Sequence, residues 1–206
     1  MPIISLRDTP LYGWNVVVKR VTDIVLSITI LLAVSPLMFV ISFLVKATSI
    51  GPVFYRQERM GLDGKIFSML KFRTMETQAE KETGPVWAAK GDSRKTIIGS
   101  FLRKTSMDEL PQFFNVLKGD MSIVGPRPER EFFIQQFRSK IPKYMLRHKM
   151  KAGITGWAQI SGWRGNTSLE KRIEYDIYYI ENWSLRFDLE IMWLTIWRGF
   201  VHKHAY

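Results

Sequence analysis

The chain has 206 residues, 46% of them hydrophobic, enough to bury one core, so a single domain is the default. Thirty Lys plus Arg against nineteen Asp plus Glu leave a formal charge of +11, which calls for an anionic partner: nucleic acid, an acidic membrane surface or a phosphorylated substrate. Cysteine is absent, which excludes disulfides, thiolate nucleophiles and cysteine-bound zinc, and His148, His202 and His204 make no convincing metal site.

Met1 to Asn15 is polar and turn-rich, with Pro2, Pro10 and Gly13, and reads as an arm. Lys19, Arg20 and Asp23 then precede an uncharged stretch from Ile24 to Val45, long enough at about 1.5 Å per residue to cross a bilayer. Its length and the lack of an A-x-A-like site argue against a cleaved signal peptide. Two readings stay open: a spanning helix, or one that enters the bilayer, breaks and returns to the same face. Pro36 cannot donate to the carbonyl of Leu32, so a kink is expected at Ser35-Pro36, with the Ser35 hydroxyl available to the freed backbone. Lys19 and Arg20 before the stretch and Lys46, Arg56 and Arg59 after it favour both ends on the cytoplasmic side.

Val53 to Arg59 and Lys65 to Phe72 flank Asp63-Gly64, which predicts a β-hairpin. Lys71 and Arg73 emerge where the second strand ends, where basic groups either contact phosphate or form a solvated edge. A short polar helix is expected over Glu76 to Glu82, a loop over Thr83 to Ser93, and a helix over Ile97 to Lys104 that delivers Arg103.

The densest chemistry lies between Arg103 and Arg130. Ser106 and Glu109 have capping-box spacing and Pro111 is tolerable only near a helix start, so Asp108 and Glu109 are expected in a first helical turn. The helix dipole favours ionised carboxylates there, which suits a nucleophilic Asp or two oxygen ligands for magnesium; the plainer reading is an acidic cap. In Gly125-Pro126-Arg127-Pro128 the prolines fix φ and keep Arg127 extended. Its planar fork matches phosphate oxygens, so Arg127, with Arg103 and Lys104, would hold a diphosphate against the acid pair; the alternative is a rigid turn with a solvated arginine.

Downstream, Pro128 is expected to start a helix whose Phe132, Phe133 and Phe137 form a core stripe. Lys140 to Lys151 reads as an amphipathic segment on an anionic surface, with a nucleic-acid contact as the alternative. Gly153, Gly156, Gly162 and Gly165 allow close backbone approach to a ligand, without phosphate-loop spacing. Thr167 and Glu170 predict a capped helix to about Asn182, and Ser184 begins another through Phe200. On that last helix Leu189, Met192, Trp193, Ile196, Trp197 and Phe200 share a side, which suits a core or a membrane interface.

Together, Lys19-Arg20-x-x-Asp23, Ser35-Pro36, KFRTM at 71–75, SMDELPQFFNVLKGDMSIVGPRPE at 106–129, GITGWAQISGWRG at 153–165 and YDIYYIENWS at 175–184 resemble the bacterial sugar transferases, or monotopic phosphoglycosyl transferases, over most of the chain. The C-terminal motifs look most like the undecaprenyl-phosphate glucose phosphotransferase branch. The resemblance implies a mostly helical α+β fold forming one domain. Its parts would be an arm (1–15), a re-entrant membrane helix-hairpin kinked at Ser35-Pro36 (16–50), and a membrane-associated catalytic region (51–206) with a small β-hairpin and interfacial amphipathic helices.

The implied reaction transfers a hexose 1-phosphate from a UDP-sugar to polyprenyl (undecaprenyl) phosphate, releasing UMP. It would be the first membrane step of exopolysaccharide, O-antigen or capsule assembly, on the cytoplasmic face of the bacterial inner membrane. By motif match Asp108 is the nucleophile that carries the phosphosugar and Glu109 its dyad partner, the two holding Mg2+. Arg103 and Arg127 bind phosphate, and Lys71 and Arg73 complete the substrate-binding set. The partners are the UDP-sugar, the polyprenyl phosphate and the bilayer, and no nucleic acid; the hexose, the lipid length and a homo-oligomer are left open. Longer members carry four membrane spans and a soluble domain upstream, which makes this chain a minimal enzyme or a catalytic fragment, and Ala152 stands where many relatives have proline. A non-catalytic alternative, a membrane-anchored basic protein that binds nucleic acid or serves as an adaptor, gives no reason for the acid pair or for Ser35-Pro36.

Overall fold

The apolar run becomes helix α1, Trp14–Thr48, in a computed structural model that describes residues 9–77, 94–165 and 167–201. The helix is long and apolar enough to cross a membrane, and most of its surface is uncovered, with Val17, Val21, Val25, Leu32, Phe39 and Phe43 exposed. Only one row is buried: Lys19, Asp23 and Ser27 at one end, Met38, Ile41 and Val45 at the other, spaced by three or four as one helical face requires. Between Ser27 and Met38 no residue of α1 is fully buried. The helix is continuous through Pro36, so the re-entrant hairpin expected at Ser35-Pro36 is not shown; the carbonyl of Leu32 does accept from Ser35 Oγ at 2.9 Å, as expected.

Strands β1 (Phe54–Met60) and β2 (Ile66–Phe72) pair antiparallel with Arg56 opposite Leu70, and Asp63 and Gly64, both at positive φ, reverse the chain between them. Helix α2 (Ile97–Thr105) starts where Thr96 Oγ1 accepts from the Gly99 N–H at 2.9 Å. Helix α3 (Gln112–Lys118) ends at Gly119, whose φ of 99° suits only glycine well. Then follow β3 (Ser122–Val124), α4 (Glu131–Phe137), β4 (Gly153–Thr155), α5 (Trp157–Ile160), α6 (Leu169–Glu181) and α7 (Leu185–Val201). The main core gathers Phe113, Val116, Met121, Ile123, Met150, Tyr179, Trp183 and Ile191, while Met38, Ile41 and Val45 of α1 pack with Phe72 and Leu102.

The parallel pairing of β3 with β4 was not foreseen, because three-residue strands carry no periodicity. It depends on glycine: a Cβ on Gly153 would lie 2.1 Å from the Gly125 nitrogen, and one on Gly156 would lie 2.2 Å from the Gly125 carbonyl oxygen. Close approach is therefore the purpose of these glycines, as expected, but toward backbone rather than ligand.

Other expectations are corrected by distant partners. Helix α4 begins after Pro128, with Arg130 at its cap; Ile134 is its buried residue, Phe137 packs against the cluster around it, and Phe132, 49% exposed, lies outside the core, so the expected phenylalanine stripe is core only in part. The basic run Lys140–Lys151 is two-sided: Lys140, Lys143 and Lys149 are exposed, but a turn of 3-10 helix, Tyr144–Lys149, buries Arg147 against Asp176 of α6 at 2.7 Å. Burial pulls His148 down to about 4, so it is neutral. Helix α6 is capped by Ser168, one residue after Thr167, through the Lys171 N–H at 3.2 Å. Leu189, Trp193, Ile196 and Trp197 of α7 are all exposed, so the core reading fails for these four, while Met192 of the same set packs against the main core. Beyond Thr77, the expected Glu76–Glu82 helix and the Thr83–Ser93 loop lie outside the described residues.

Candidate active site

Helix α2 stops because Ser106 turns left-handed, φ 57°, and the chain then makes one 3-10 turn, Met107–Glu109, before α3. The expected capping box is therefore not formed: Ser106 Oγ faces the Arg164 guanidinium at 3.4 Å, and the Glu109 carboxylate is engaged elsewhere. Pro111 does lie at a helix start, as the N-cap of α3. Asp108 and Glu109 are buried side by side, 6% and 7% exposed.

Around Glu109 three cations converge. Its Oε1 accepts from Arg127 Nη2 at 2.7 Å and Lys71 Nζ at 3.0 Å and lies 3.7 Å from Arg164 Nη2; its Oε2 is 3.5 Å from Arg127 Nη1. Burial raises the Glu109 pKa, but Arg127, Lys71 and Arg164 outweigh it and hold the carboxyl well below the usual range. Asp108 is different. Its Oδ2 is 3.8 Å from Lys71 Nζ, and burial, aided by the charge of Glu109, pushes its pKa up despite Lys71. Burial likewise pulls the Lys71 ammonium down.

Arg127 stands on a backbone whose carbonyls are all fixed. Pro126 O accepts from the Gly153 N–H at 2.9 Å, Arg127 O from Arg147 Nη2 at 2.8 Å, Pro128 O from Arg59 Nη1 at 3.1 Å and Glu129 O from the Met60 N–H at 3.1 Å. Four successive acceptors held by three elements, β1, β4 and the turn that carries Arg147, leave the extended rod little freedom, and Gln159 Oε1 accepts from Arg127 Nη1 at 3.0 Å.

Of the site residues expected from sequence, Asp108, Glu109, Lys71 and Arg127 come together. Arg103, in the last turn of α2, donates to Thr74 Oγ1 at 2.8 Å, and its charge favours the ionised form of Asp108. Lys104 is exposed. Arg73 departs: buried at 4% exposure, it donates to Ser49 O at 2.9 Å, to Ser49 Oγ at 2.8 Å and to Ile50 O, closing the C-terminal end of α1. It is absent from the site because its guanidinium is taken by Ser49 and Ile50, while its backbone N–H continues the hairpin ladder to Val53 O at 2.9 Å. Sequence reasoning missed Arg164 and Gln159. The signal for Arg164 was a guanidinium between Gly162 and Gly165, both at positive φ, and Gln159 stands just upstream in α5, in a segment read for its glycines and tryptophans alone.

Two acids thus face four cations, Lys71, Arg103, Arg127 and Arg164, an excess that suits an anionic ligand. Among the described residues no group of three or more His, Cys, Asp or Glu is found. Magnesium is commonly held by one or two carboxylates plus phosphate oxygens, and Glu109 Oε2, the less engaged oxygen, fits that donor set beside Asp108.

The family described as bacterial sugar transferase matches residues 14–202. The chain is similar, at 53% identity over all of its length, to the UDP-glucose:undecaprenyl-phosphate glucose-1-phosphate transferase of Klebsiella pneumoniae, 45% of which it covers. It is 44% identical over 93% of its length to the UDP-N-acetylgalactosamine-undecaprenyl-phosphate N-acetylgalactosaminephosphotransferase of Aeromonas hydrophila, again covering 45% of that protein. It is 41% identical to the uncharacterized sugar transferase EpsL of Bacillus subtilis, over 87% of this chain and 86% of that one. The chain spans about half the length of the first two relatives.

Proposed function

The chain belongs to the bacterial sugar transferase family, and from that premise we propose that it transfers a hexose 1-phosphate from a UDP-sugar, UDP-glucose first among the candidates, to undecaprenyl phosphate. The observation that carries this reading is the buried acid pair faced by four cations. Ionised Asp108 attacks the phosphorus next to the sugar; an Oδ–P bond forms and the P–O bond to UMP breaks, UMP leaving with the electron pair. An oxygen of the polyprenyl phosphate then attacks the same phosphorus and Asp108 departs as a carboxylate. The product is a polyprenyl-diphosphate sugar.

Carboxylates attack polyanions poorly, so the charge on the phosphoryl oxygens must be neutralised. Arg127, Arg103, Arg164 and Lys71 supply that field, and Glu109, ionised, holds Arg127 and Lys71 in place. A magnesium ion held by Asp108 and Glu109 would add neutralisation of the diphosphate. A nucleic-acid partner is disfavoured because much of the basic charge has internal partners, as Lys19, Arg20, Arg73, Arg147 and Arg172 do.

The same proposal places α1 in the cytoplasmic face of the inner membrane as a re-entrant element with its apex near Ser35-Pro36. Its support is that both ends of α1 rest on one body: Lys19 pairs with Asp188 of α7 and Asp23 accepts from β3, while Met38, Ile41 and Val45 pack on Phe72 and Leu102. A spanning helix would carry its ends to opposite faces. Cysteines at Asn15 and Thr48 should both resist an impermeant thiol reagent in intact cells; labelling of one alone would establish a span.

For the reaction, detergent-solubilised protein with UDP-glucose, polyprenyl phosphate and magnesium should release UMP with parallel ping-pong plots. Donor carrying radiolabel in the phosphate next to the sugar should label the protein at Asp108. Converging plots with no adduct would point to direct transfer, and silence with every UDP-sugar would end the transferase reading.

A further inference from the structure

Strand β2 pairs with β1 along one edge and, among the described residues, with no strand along the other. On that free edge the Asn115 carboxamide of α3 takes the place of a third strand. Its Oδ1 accepts from the Leu70 N–H at 2.9 Å and its Nδ2 donates to Ser68 O at 2.8 Å. The residue is 2% exposed, and its own carbonyl accepts from the Gly119 and Asp120 N–H groups, each at 3.0 Å, where α3 turns toward β3. One asparagine therefore joins the strand that carries Lys71 to the helix that follows directly on Asp108 and Glu109.

Successive strand residues face opposite ways, so Lys71 shares its face with Met69, which packs in the core with Phe113 and Val116 of α3. That packing fixes which way the strand faces. It does not fix the position of β2 along its own length, since apolar contacts are not directional. The paired hydrogen bonds from Asn115 are directional, and they grip Leu70, the residue before Lys71.

Resting on the transferase reading, we propose that Asn115 is a positioning residue for phosphoryl transfer, setting the Lys71 ammonium against Glu109 and Asp108. It touches neither substrate nor the reacting atoms. A displacement of β2 by about 1 Å would carry Lys71 out of contact with Glu109, and misplacements of that size cost catalysis on the order of 100-fold.

Asn115→Ala removes both bonds without adding charge, with Asn115→Ser as the second variant should the alanine protein fail to fold. Either should lower kcat roughly 30-fold while changing KM for the UDP-sugar by less than about threefold. In a Lys71→Met background the same change should cost less than about threefold more, because what Asn115 positions has been removed. Losses that multiply in full would mean that Asn115 acts independently of Lys71 and would overturn the proposal. The lysine amines, dimethylated with a carbon-13 label and assigned through Lys71→Arg, give a readout that needs no turnover. The Lys71 signal should change its chemical shift in the Asn115 variant, and an unchanged signal would also overturn the proposal. If the unsubstituted protein releases no UMP, the transferase reading fails, while the lysine signal still decides whether the clamp exists.

Discussion

Two buried polar clusters in this molecule are built from the same residue types to opposite ends. At the base of α1, Lys19 meets Asp188 at 2.6 Å, and Asp188 also accepts from Tyr179 Oη at 2.6 Å and Trp183 Nε1 at 3.2 Å. Nearby, Asp23 Oδ1 accepts from Ser122 Oγ and the Ile123 N–H, both at 3.1 Å. Here one lysine faces two acids, and neutral donors fill the acids' remaining acceptor sites, so the cluster is complete within the chain. At the acid pair, four cations face two acids, and Asp108 is left with a raised pKa and, among the described residues, an ion pair with Lys71 at 3.8 Å. The first arrangement fastens helix α1 to the body. The second leaves cations in excess, as the proposed polyanionic substrate requires.

The largest effects should come from neutralising one acid in each cluster. Asp188→Asn leaves Lys19 buried without its charge partner and should cost about 3–5 kcal/mol, read as loss of a folded, monodisperse protein in detergent. Asp108→Asn should leave the thermal midpoint unchanged or higher, because burial already disfavours that charge, yet lower turnover by a factor on the order of 1,000 or more. A folded, active Asp188→Asn protein beside an unfolded Asp108→Asn one would erase the contrast.

Next in size is the geometry of the excess cations. Arg127→Lys keeps the charge but loses the bidentate fork, and kcat/KM should fall by about 100-fold; Arg164→Lys, at 3.7 Å from Glu109, should fall less. Equal and small losses would reduce the site to a general positive field.

The smallest effect is a shift along the pH axis. Asp108 must be ionised to attack, and its pKa is raised above the ordinary value near 3.9, so kcat/KM should fall as pH drops through a limb above that value. Glu109→Gln removes a negative neighbour that helps hold the Asp108 pKa up, so the residual activity should show the limb moved to lower pH. A limb that moves upward instead would mean that Glu109 acts on Asp108 mainly by keeping Lys71 and Arg127 nearby.

Much of this was legible in the chain because it is local. The prolines at 126 and 128 fix their own φ angles, Asp63-Gly64 supplies the reversal of the hairpin, Ser35 sits one residue before the proline whose carbonyl partner it serves, and Asp108 and Glu109 are adjacent by covalent bonds. The uncharged length of α1 is likewise a property of composition.

What only the tertiary structure decided is the destination of each charged side chain. Lys71 and Arg73 look alike in sequence, yet one enters the site and the other closes the end of α1. Arg147, in what reads as a surface run, is drawn inside by Asp176, and Arg164 reaches Glu109 only because β4 pairs with β3 and brings the glycine-threaded segment against the acid turn. The reason is physical: a charge is buried only where opposite charges or hydrogen-bond partners come within a few ångströms, and those partners lie tens of residues away along the chain. Dihedral preferences and periodicity act over one or two turns, so they specify the pieces, while the closure of distant elements determines which cations surround Asp108 and Glu109.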